Sequence, residues 1–152
     1  MRRTNGFTLV EMLIVVSLIG AVALIGWPKV SSGMAKTNLR SSRTTLANMF
    51  ARARAFAMQT NRRTAVRLNG NNVVITALPR LTVGGAGTVD TIGAVEKLYD
   101  LYGVSLTPPS GVDSVAYDPR GFGALGAVRT FVVTRNSTRD SVMIDGLGRI
   151  IK

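Results

Sequence analysis

The sequence Gly6-Phe7-Thr8-Leu9-Val10-Glu11 precedes an uncharged run of 16 residues, Met12 to Trp27. Residues 7–27 number 21. At a helical rise of ~1.5 Å each they span about 31 Å, which is enough for a hydrocarbon core of ~30 Å. The run therefore predicts one membrane-spanning helix. A carboxylate at the edge of such a helix is costly unless it has a function, so Glu11 is a candidate functional residue.

The same motif, preceded by the short basic leader Met1 to Gly6, resembles the class III signal of type IV prepilins and type II secretion pseudopilins. The resemblance implies that a prepilin peptidase cuts after Gly6 and methylates the new terminal Phe7. It also implies that the chain is inserted in the lipid bilayer first. From there an inner-membrane assembly platform adds it to a filament of other pilins or pseudopilins.

The predicted cut has a physical rationale at Glu11. Cleavage leaves an α-amine on Phe7, four residues and one helical turn before Glu11. In a filament the Glu11 carboxylate of one subunit can pair with the Phe7 amine of its neighbour, which offsets the cost of both charges in lipid. We therefore expect Glu11 to register subunits during assembly.

An ordinary secretory signal is the competing interpretation of the N-terminus. Arg2 and Arg3 supply a basic region, the following run is apolar, and Ala21-Val22-Ala23 satisfies a small-residue cleavage site. The position of Glu11 at the start of the apolar run argues against this interpretation.

Composition argues against an enzyme. The 152 residues offer one domain, with about 125 left for a soluble core after the leader and span. Cys and His are both absent, so disulfides, thiolate chemistry, the usual general base and the commonest metal ligand are excluded. The eight acids are scattered and form no calcium-loop pattern. We expect no cofactor and no metal site.

The net charge of +11 is unevenly distributed. Ten basic residues and no acid lie between Met12 and Val89, whereas Asp90 to Lys152 carries seven of each. Because more basic residues follow the span than precede it, the positive-inside rule would place the body in the cytoplasm. The prepilin-type signal implies the opposite orientation, with the N-terminus cytoplasmic and the body periplasmic, and we follow that more specific signal.

The helix should continue beyond the span. Pro28 is expected to kink it, and the helical pattern then extends to about Thr60. One apolar stripe, predicted to pack on a sheet, comprises Ala35, Leu39, Leu46, Phe50, Ala53 and Ala57. A basic ridge beside this stripe comprises Lys29, Lys36, Arg40, Arg43 and Arg54. Solvation and contact with an anionic partner are both open interpretations of this ridge.

Short β-like runs follow. A hairpin is predicted from Thr64–Leu68 and Val73–Leu78 around Asn69-Gly70-Asn71-Asn72. The remaining predicted strands are Leu98–Leu106, Val112–Tyr117, Val128–Thr134, Ser141–Asp145 and Arg149–Ile151, with a turn at Arg135–Arg139. The segment Thr82–Gly93, which contains Gly84-Gly85-Ala86-Gly87, lacks a phosphate-loop ending and is predicted to be a surface loop. Together these runs predict an antiparallel sheet.

The C-terminal half carries a second resemblance. Tyr117-Asp118-Pro119-Arg120-Gly121, the strand that follows it, and Gly148-Arg149-Ile150 are similar to the GspH/FimT branch of minor pseudopilins and minor pilins. Some members of that branch bind DNA through a Gly-Arg-x-Arg tail. Here Ile151 stands at the second arginine position and Lys152 follows, while Asp118-Pro119-Arg120-Gly121 is also an ordinary turn sequence.

These observations predict an α+β, pilin-like "lollipop" with one long N-terminal helix on an antiparallel β-sheet head. Its parts are a leader at residues 1–6, a transmembrane and assembly helix at 7–30, and a periplasmic head at 31–152 that includes the second half of the helix. The resemblance implies a single-pass bacterial inner-membrane protein that becomes a minor subunit of a type II secretion pseudopilus or type IV pilus.

Two alternatives belong to other classes. A DNA receptor for natural transformation would use basic side chains to hold phosphates; the candidates are Lys36, Arg40, Arg43, Arg54, Arg62, Arg63, Arg149 and Lys152. Arginine outnumbers lysine fifteen to four, which suits bidentate phosphate contacts and is equally consistent with an effect of genomic base composition. A monomeric anchored protein with no filament is the other alternative, and it leaves Glu11 without a function.

Overall fold

The computed structural model describes residues 7–79 and 88–151, with only the backbone described at residues 26 and 28. The chain divides into two compact units, Met1–Lys36 and Thr37–Lys152, so the long N-terminal helix contributes to both. The helices are α1 (Leu9–Thr60) and α2 (Leu98–Tyr102). The strands are β1 (Thr64–Asn69), β2 (Asn72–Ala77), β3 (Asp90–Lys97), β4 (Ser105–Thr107), β5 (Ser114–Tyr117), β6 (Arg129–Arg135) and β7 (Thr138–Ile144).

Helix α1 begins at a side-chain cap and ends at a left-handed residue. Thr8 Oγ1 accepts a hydrogen bond from the Glu11 amide at 3.2 Å, which satisfies a donor that has no partner inside the helix. At the other end, Asn61 has a φ of 51°, a conformation that asparagine tolerates better than most residues. The predicted end near Thr60 is confirmed. The helix is continuous through residue 28, and a bend at Pro28 stays a prediction.

The predicted apolar stripe forms the helical side of the head's core. Leu39, Leu46, Phe50, Ala53 and Ala57 are all buried among residues of the strands, which confirms these five positions. The Phe50 and Phe131 rings lie with centroids 5.1 Å apart. Ala35, the sixth predicted member, belongs to the other unit and is only half-buried.

Among the described residues, the strands of the head form two antiparallel sheets, which confirms the predicted antiparallel β-sheet head and divides it in two. Four strands lie in the order β3-β2-β1-β5, and three lie in the order β4-β6-β7. The predicted first hairpin is confirmed as β1 and β2, with Val66 opposite Ile75. Strand β5 returns to pair with β1, whereas β4 pairs with β6; such long-range choices of partner leave no mark on local periodicity.

The predicted strand Leu98–Leu106 is wrong. Its first part forms α2, which ends at Gly103 with a φ of 62°, and only Ser105–Thr107 is a strand. Leu98 and Tyr102 are one helical turn apart and share the inward face. Residues at this spacing also share a face in a strand, so the apolar pattern is compatible with both structures.

The loop predicted at Thr82–Gly93 is wrong from Asp90 onward, because β3 occupies Asp90–Lys97. This strand is mostly exposed and, among the described strands, pairs with β2 alone, so it lacks the apolar alternation that reveals a half-buried strand. Gly84-Gly85-Ala86-Gly87 lies outside the described residues.

Smaller corrections concern strand ends. The segment Arg149–Ile151 forms a single bridge between Ile150 and Ile144 instead of a strand. The second hairpin turn is only Asn136 and Ser137, because Arg135 and Thr138 already pair in the ladder. The ends of the other predicted strands differ from the observed ends by at most three residues, and the predicted end at Tyr117 is confirmed.

Candidate functional site

The first candidate site is the N-terminal part of α1. Its apolar side chains are exposed from Leu9 to Ile25, and the most apolar window has no buried residue. Among the described residues, α1 is the one helix long and apolar enough by length and composition to cross a membrane. The described residues of the same unit do not cover this surface, so it needs an apolar environment from elsewhere.

Glu11 lies in the first turn of α1 and is exposed. Its backbone amide is the donor to Thr8, so Thr8-Leu9-Val10-Glu11 has the order and spacing of a helix capping box. A carboxylate in the first turn also interacts favourably with the helix dipole. Phe7, the predicted new N-terminus, is exposed, whereas Gly6 lies outside the described residues.

The second candidate site is the set of basic side chains that the sequence predicts as contacts for DNA or another anionic ligand. These side chains fall into two groups. Lys36, Arg40 and Arg63 are exposed. Arg43 instead pairs with Asp140 at 3.7 Å, and Arg62 pairs with Asp90 at 2.7 Å. Acids from the C-terminal half therefore neutralise part of the basic half, which the linear charge pattern did not predict.

The C-terminal arginine is also engaged within the head. Arg149 Nε lies 3.2 Å from Asp145 Oδ2, and the Arg149 amide donates to Asp145 Oδ1 at 2.7 Å. The Arg149 side chain stays 60% exposed, so the guanidinium is still accessible to solvent. Lys152 lies outside the described residues.

Asp118-Pro119-Arg120-Gly121 forms the turn that its sequence predicts. Asp118 Oδ1 accepts from the amides of Arg120 at 2.9 Å and Phe122 at 2.8 Å. Gly121 has a φ of 83°, and a Cβ there would lie 2.7 Å from Met58 Sδ. The turn is thus fastened against the end of α1, and its aspartate is used within the fold.

A second turn, Asp145 to Arg149, closes against the first. The Gly123 amide donates to the Leu147 carbonyl at 2.7 Å, and a Cβ on Gly148 would lie 2.6 Å from Tyr117 Cε1. The Tyr117 hydroxyl donates to the Gly148 carbonyl at 3.2 Å. Burial raises the pKa of Tyr117 well above its usual range, against the opposing effect of nearby Arg54.

Arg54 lies on the side of α1 that faces these turns, and a Cβ on Gly121 would lie 3.2 Å from its Nε. Its Nε is buried and, among the described residues, has no hydrogen-bond partner. It lines a groove of about 240 Å³ with Ala51, Ala55, Met58, Gly148 and Ile150, here called the tail groove. The sequence placed Arg54 on the basic ridge, for which solvation and contact with an anionic partner were both open; the structure places it half-buried beside Tyr117.

Comparison with known proteins gives a match for the N-terminal motif and a match for the fold. Residues 1–27 match the family model described as the prokaryotic N-terminal methylation motif. The fold matches a crystal structure of the Pseudomonas aeruginosa type IV minor pilin FimU with a TM-score of 0.55 and 18% identity, covering 76% of this chain and 87% of that one. A second crystal form of FimU gives 0.53 and 19%, covering 74% and 90%. No curated protein matches the chain.

The chain joins a prepilin methylation motif to a pilin fold. In this pilin fold, the residues that carried the C-terminal resemblance form two hydrogen-bonded turns of the head. Asp118 and Asp145 each accept two or more backbone amides in their own turns, and Tyr117 lies buried between those turns. An aspartate followed by glycine within three residues is the sequence signal for these turns, and it occurs at both places.

Proposed function

We propose that this chain is a non-catalytic minor subunit of a filament assembled at the bacterial inner membrane, of the type IV pilus or type II secretion pseudopilus kind. One observation carries the proposal: a prepilin methylation motif at residues 1–27 includes the apolar, uncovered start of a helix that continues into a pilin head. Neither the bilayer nor a filament is needed for the head's own core, so the first part of α1 is available for both.

Processing and topology follow from the same proposal. A prepilin peptidase cuts after Gly6 and methylates Phe7, while the leader faces the cytoplasm and the head faces the periplasm. Before assembly the exposed apolar side chains contact lipid, and after assembly they contact the helices of neighbouring pilins. The inner-membrane assembly platform moves the subunit from one environment to the other.

Glu11 is the residue through which the proposal is best tested. Replacing Glu11 with Val removes a charge from the membrane, so insertion should be unchanged or slightly better. Pairing with a neighbouring Phe7 amine is lost, so we expect the amount of protein that co-purifies with the sheared filament to fall several-fold while the cellular protein level holds. Thr8→Val is the matched control for the helix start, because it removes the cap and keeps the carboxylate.

Equal co-purification of Glu11→Val and parent would contradict the registration role. Loss of incorporation in Thr8→Val but not in Glu11→Val would show that the helix start, and not the carboxylate, matters for assembly.

DNA uptake is the second candidate function, and the exposed basic residues Lys36, Arg40 and Arg63 favour it. Three other candidates, Arg43, Arg62 and Arg149, already contact carboxylates of the head. Each such pair lowers the charge available to a phosphate backbone. We therefore rank a structural subunit above a DNA receptor.

A further inference from the structure

Residues 27–36 of α1, here called the interface segment, follow the apolar run within the same continuous helix. The interface segment belongs entirely to the Met1–Lys36 unit. Its two lysines, Lys29 and Lys36, are both exposed. At about 100° per residue they lie within about 20° of each other around the helix axis, and about 10 Å apart along it. The two lysines therefore form one basic face.

This basic face has no acidic partner in the described part of the chain. Neither Lys29 nor Lys36 forms an ion pair there, and the sequence has no acid between Glu11 and Asp90. Unpaired ammonium groups beside a membrane span attract negative charge from outside the protein. The ligand of this face is therefore expected to be anionic.

The other face of the interface segment is apolar. Trp27, Val30 and Met34 follow the i, i+3, i+7 spacing of one helical face and are 78%, 60% and 61% exposed. This apolar face lies roughly 140° from the lysines around the helix. Tryptophan is enriched at membrane interfaces because its ring is apolar and its N–H is polar. The same stretch of helix therefore offers both positive charge and apolar surface.

The spacing of charges along α1 matches the thickness of a bilayer. Glu11 and Lys29 are separated by about 27 Å at a rise of ~1.5 Å per residue, and no charged residue lies between them. A hydrocarbon core is about 30 Å thick, so Glu11 at one edge places Lys29 at the other, where its side chain reaches the lipid phosphates. Lys36 lies farther out, but helical Cα–Cβ bonds tilt toward the N-terminus, which directs its side chain back toward the bilayer.

An anionic bilayer supplies what both faces require. Its phosphates bind the lysines, and its acyl chains cover the apolar side chains. Free phosphate or duplex DNA would bind the lysines but would leave Val30 and Met34 in water. The interface segment therefore fits a lipid surface better than either of these ligands.

We propose that the interface segment binds the headgroups of anionic phospholipids through Lys29 and Lys36, on the side of the membrane that holds the head. This inference rests on the proposed function for the insertion of α1 in lipid. Headgroup binding fixes the depth of the span before assembly, because a shift of the helix along its axis carries either Glu11 or Lys29 into hydrocarbon.

Trp27 allows a direct test, because it is the one tryptophan of the chain. The full chain is reconstituted in vesicles of equal amounts of phosphatidylglycerol and phosphatidylcholine, with bromine on the acyl chains of one lipid or of the other. Bromine quenches tryptophan fluorescence at short range, so the two labelling schemes together report the lipid composition around Trp27. We expect phosphatidylglycerol to be enriched there at least about three-fold over phosphatidylcholine.

Variants at the two lysines test the source of this enrichment. Lys29→Gln with Lys36→Gln should reduce it to near equality, whereas Lys29→Arg with Lys36→Arg should keep it, because the charge is retained. The matched control is Arg63→Gln with Arg139→Gln, which removes two exposed charges from the head and should leave the enrichment unchanged. In about 1 M salt the parent should lose most of it, since the Debye length falls to about 3 Å.

Equal quenching of the parent by the two brominated lipids overturns the proposal. An enrichment that survives in the double glutamine variant overturns it as well, because the lysines would then not be its cause. Equal quenching together with duplex DNA binding that needs both lysines would assign the basic face to a nucleic acid instead.

The same measurement separates this proposal from the proposed function. If both lipids quench Trp27 equally, the headgroup proposal alone fails. If neither lipid quenches Trp27, the start of α1 does not lie in the bilayer, and the membrane step of the proposed function fails too. Enrichment around a parent that is absent from the sheared filament would support headgroup binding and contradict the subunit function.

Discussion

The two parts of helix α1 contain similar apolar side chains in opposite surroundings. In the first unit Leu18 is 61% exposed, and every apolar residue of the most apolar window lacks cover. In the second unit Leu46 and Phe50 are fully buried against the strands. Because buried apolar surface is worth about 25 cal/mol per Å², the second part stabilises the head by itself. The first part gains this energy only from an apolar partner outside its own unit.

Truncation of one apolar side chain in each part of α1 should have very different effects on the stability of the head. Phe50→Ala removes a buried ring that contacts Phe131, so we expect the free energy of unfolding of the head to fall by about 3–5 kcal/mol. Leu18→Ala should leave this free energy unchanged, because Leu18 contributes nothing to the head's core. Urea unfolding of the full chain in neutral detergent, followed by the β-sheet circular dichroism signal, measures both. Comparable losses in the two variants would contradict the division of the helix.

Replacement of one glycine in each part of the chain by alanine should give the next largest difference in the stability of the head. Gly148 has a φ of 79°, and a Cβ there would lie 2.6 Å from Tyr117 Cε1, so Gly148→Ala should destabilise the head by about 1–3 kcal/mol. Gly20→Ala introduces a Cβ with no neighbour within 4 Å and should not affect the same transition. The same urea titration distinguishes them, and an unaffected Gly148→Ala head would show that the two C-terminal turns are not tightly packed.

The free energy of unfolding of the head should depend on pH in the alkaline range. Burial raises the folded-state pKa of Tyr117 above the unfolded value of about 10, so its stabilising contribution is fully present below pH ~10. Above that pH the unfolded state ionises first, and stability falls by up to about 1.4 kcal/mol per pH unit until the folded-state pKa is reached.

Tyr117→Phe tests this dependence. It should lose about 0.5–1.5 kcal/mol at neutral pH with the hydrogen bond to Gly148, and it should show a shallower decline above pH ~10. An identical alkaline decline in parent and Tyr117→Phe would assign that decline to other groups.

The smallest expected difference is in the loss of DNA binding when charges are removed from the C-terminal tail or from the exposed basic residues. We compare Arg149→Ala with Lys152→Ala against Arg40→Ala with Arg63→Ala, because each pair removes two positive charges. Arg149 already pairs with Asp145, so we expect the tail pair to weaken duplex binding no more than the exposed pair does. Salt titration of fluorescence anisotropy measures the loss, against non-specific dissociation constants of roughly 10⁻⁴ to 10⁻⁶ M. A sharp loss confined to the tail pair would instead promote the DNA-uptake function.

The elements with strong local signals were predictable from sequence. Thr60 ends a helix because the pattern ends before Asn61, and the first hairpin follows from the Asn-Gly turn between two alternating runs. The spacing of Leu46, Phe50, Ala53 and Ala57 alone placed the core face of α1.

Features that depend on distant partners were not predictable. Strand β3 has exposed faces and is held by its pairing with β2, while the ion pairs of Arg43 and Arg62 join residues far apart in sequence. The position of Arg54 had the same limitation, since its helical angle gives the face but not the turns that cover it. Charge counted along the chain therefore overstated the basic surface.

We propose that the first part of α1 belongs to a prepilin signal and that, after processing, it lies first in lipid and then in a filament. Intact-mass analysis of membrane-extracted protein tests this most directly. We predict a single species that begins at N-methylated Phe7 and lacks residues 1–6, and we expect replacement of Gly6 by a bulky residue to leave the leader uncut. A mature chain that begins after Ala23 and is soluble in the periplasm would contradict the account, because the apolar surface from Leu9 would then be a discarded secretory signal.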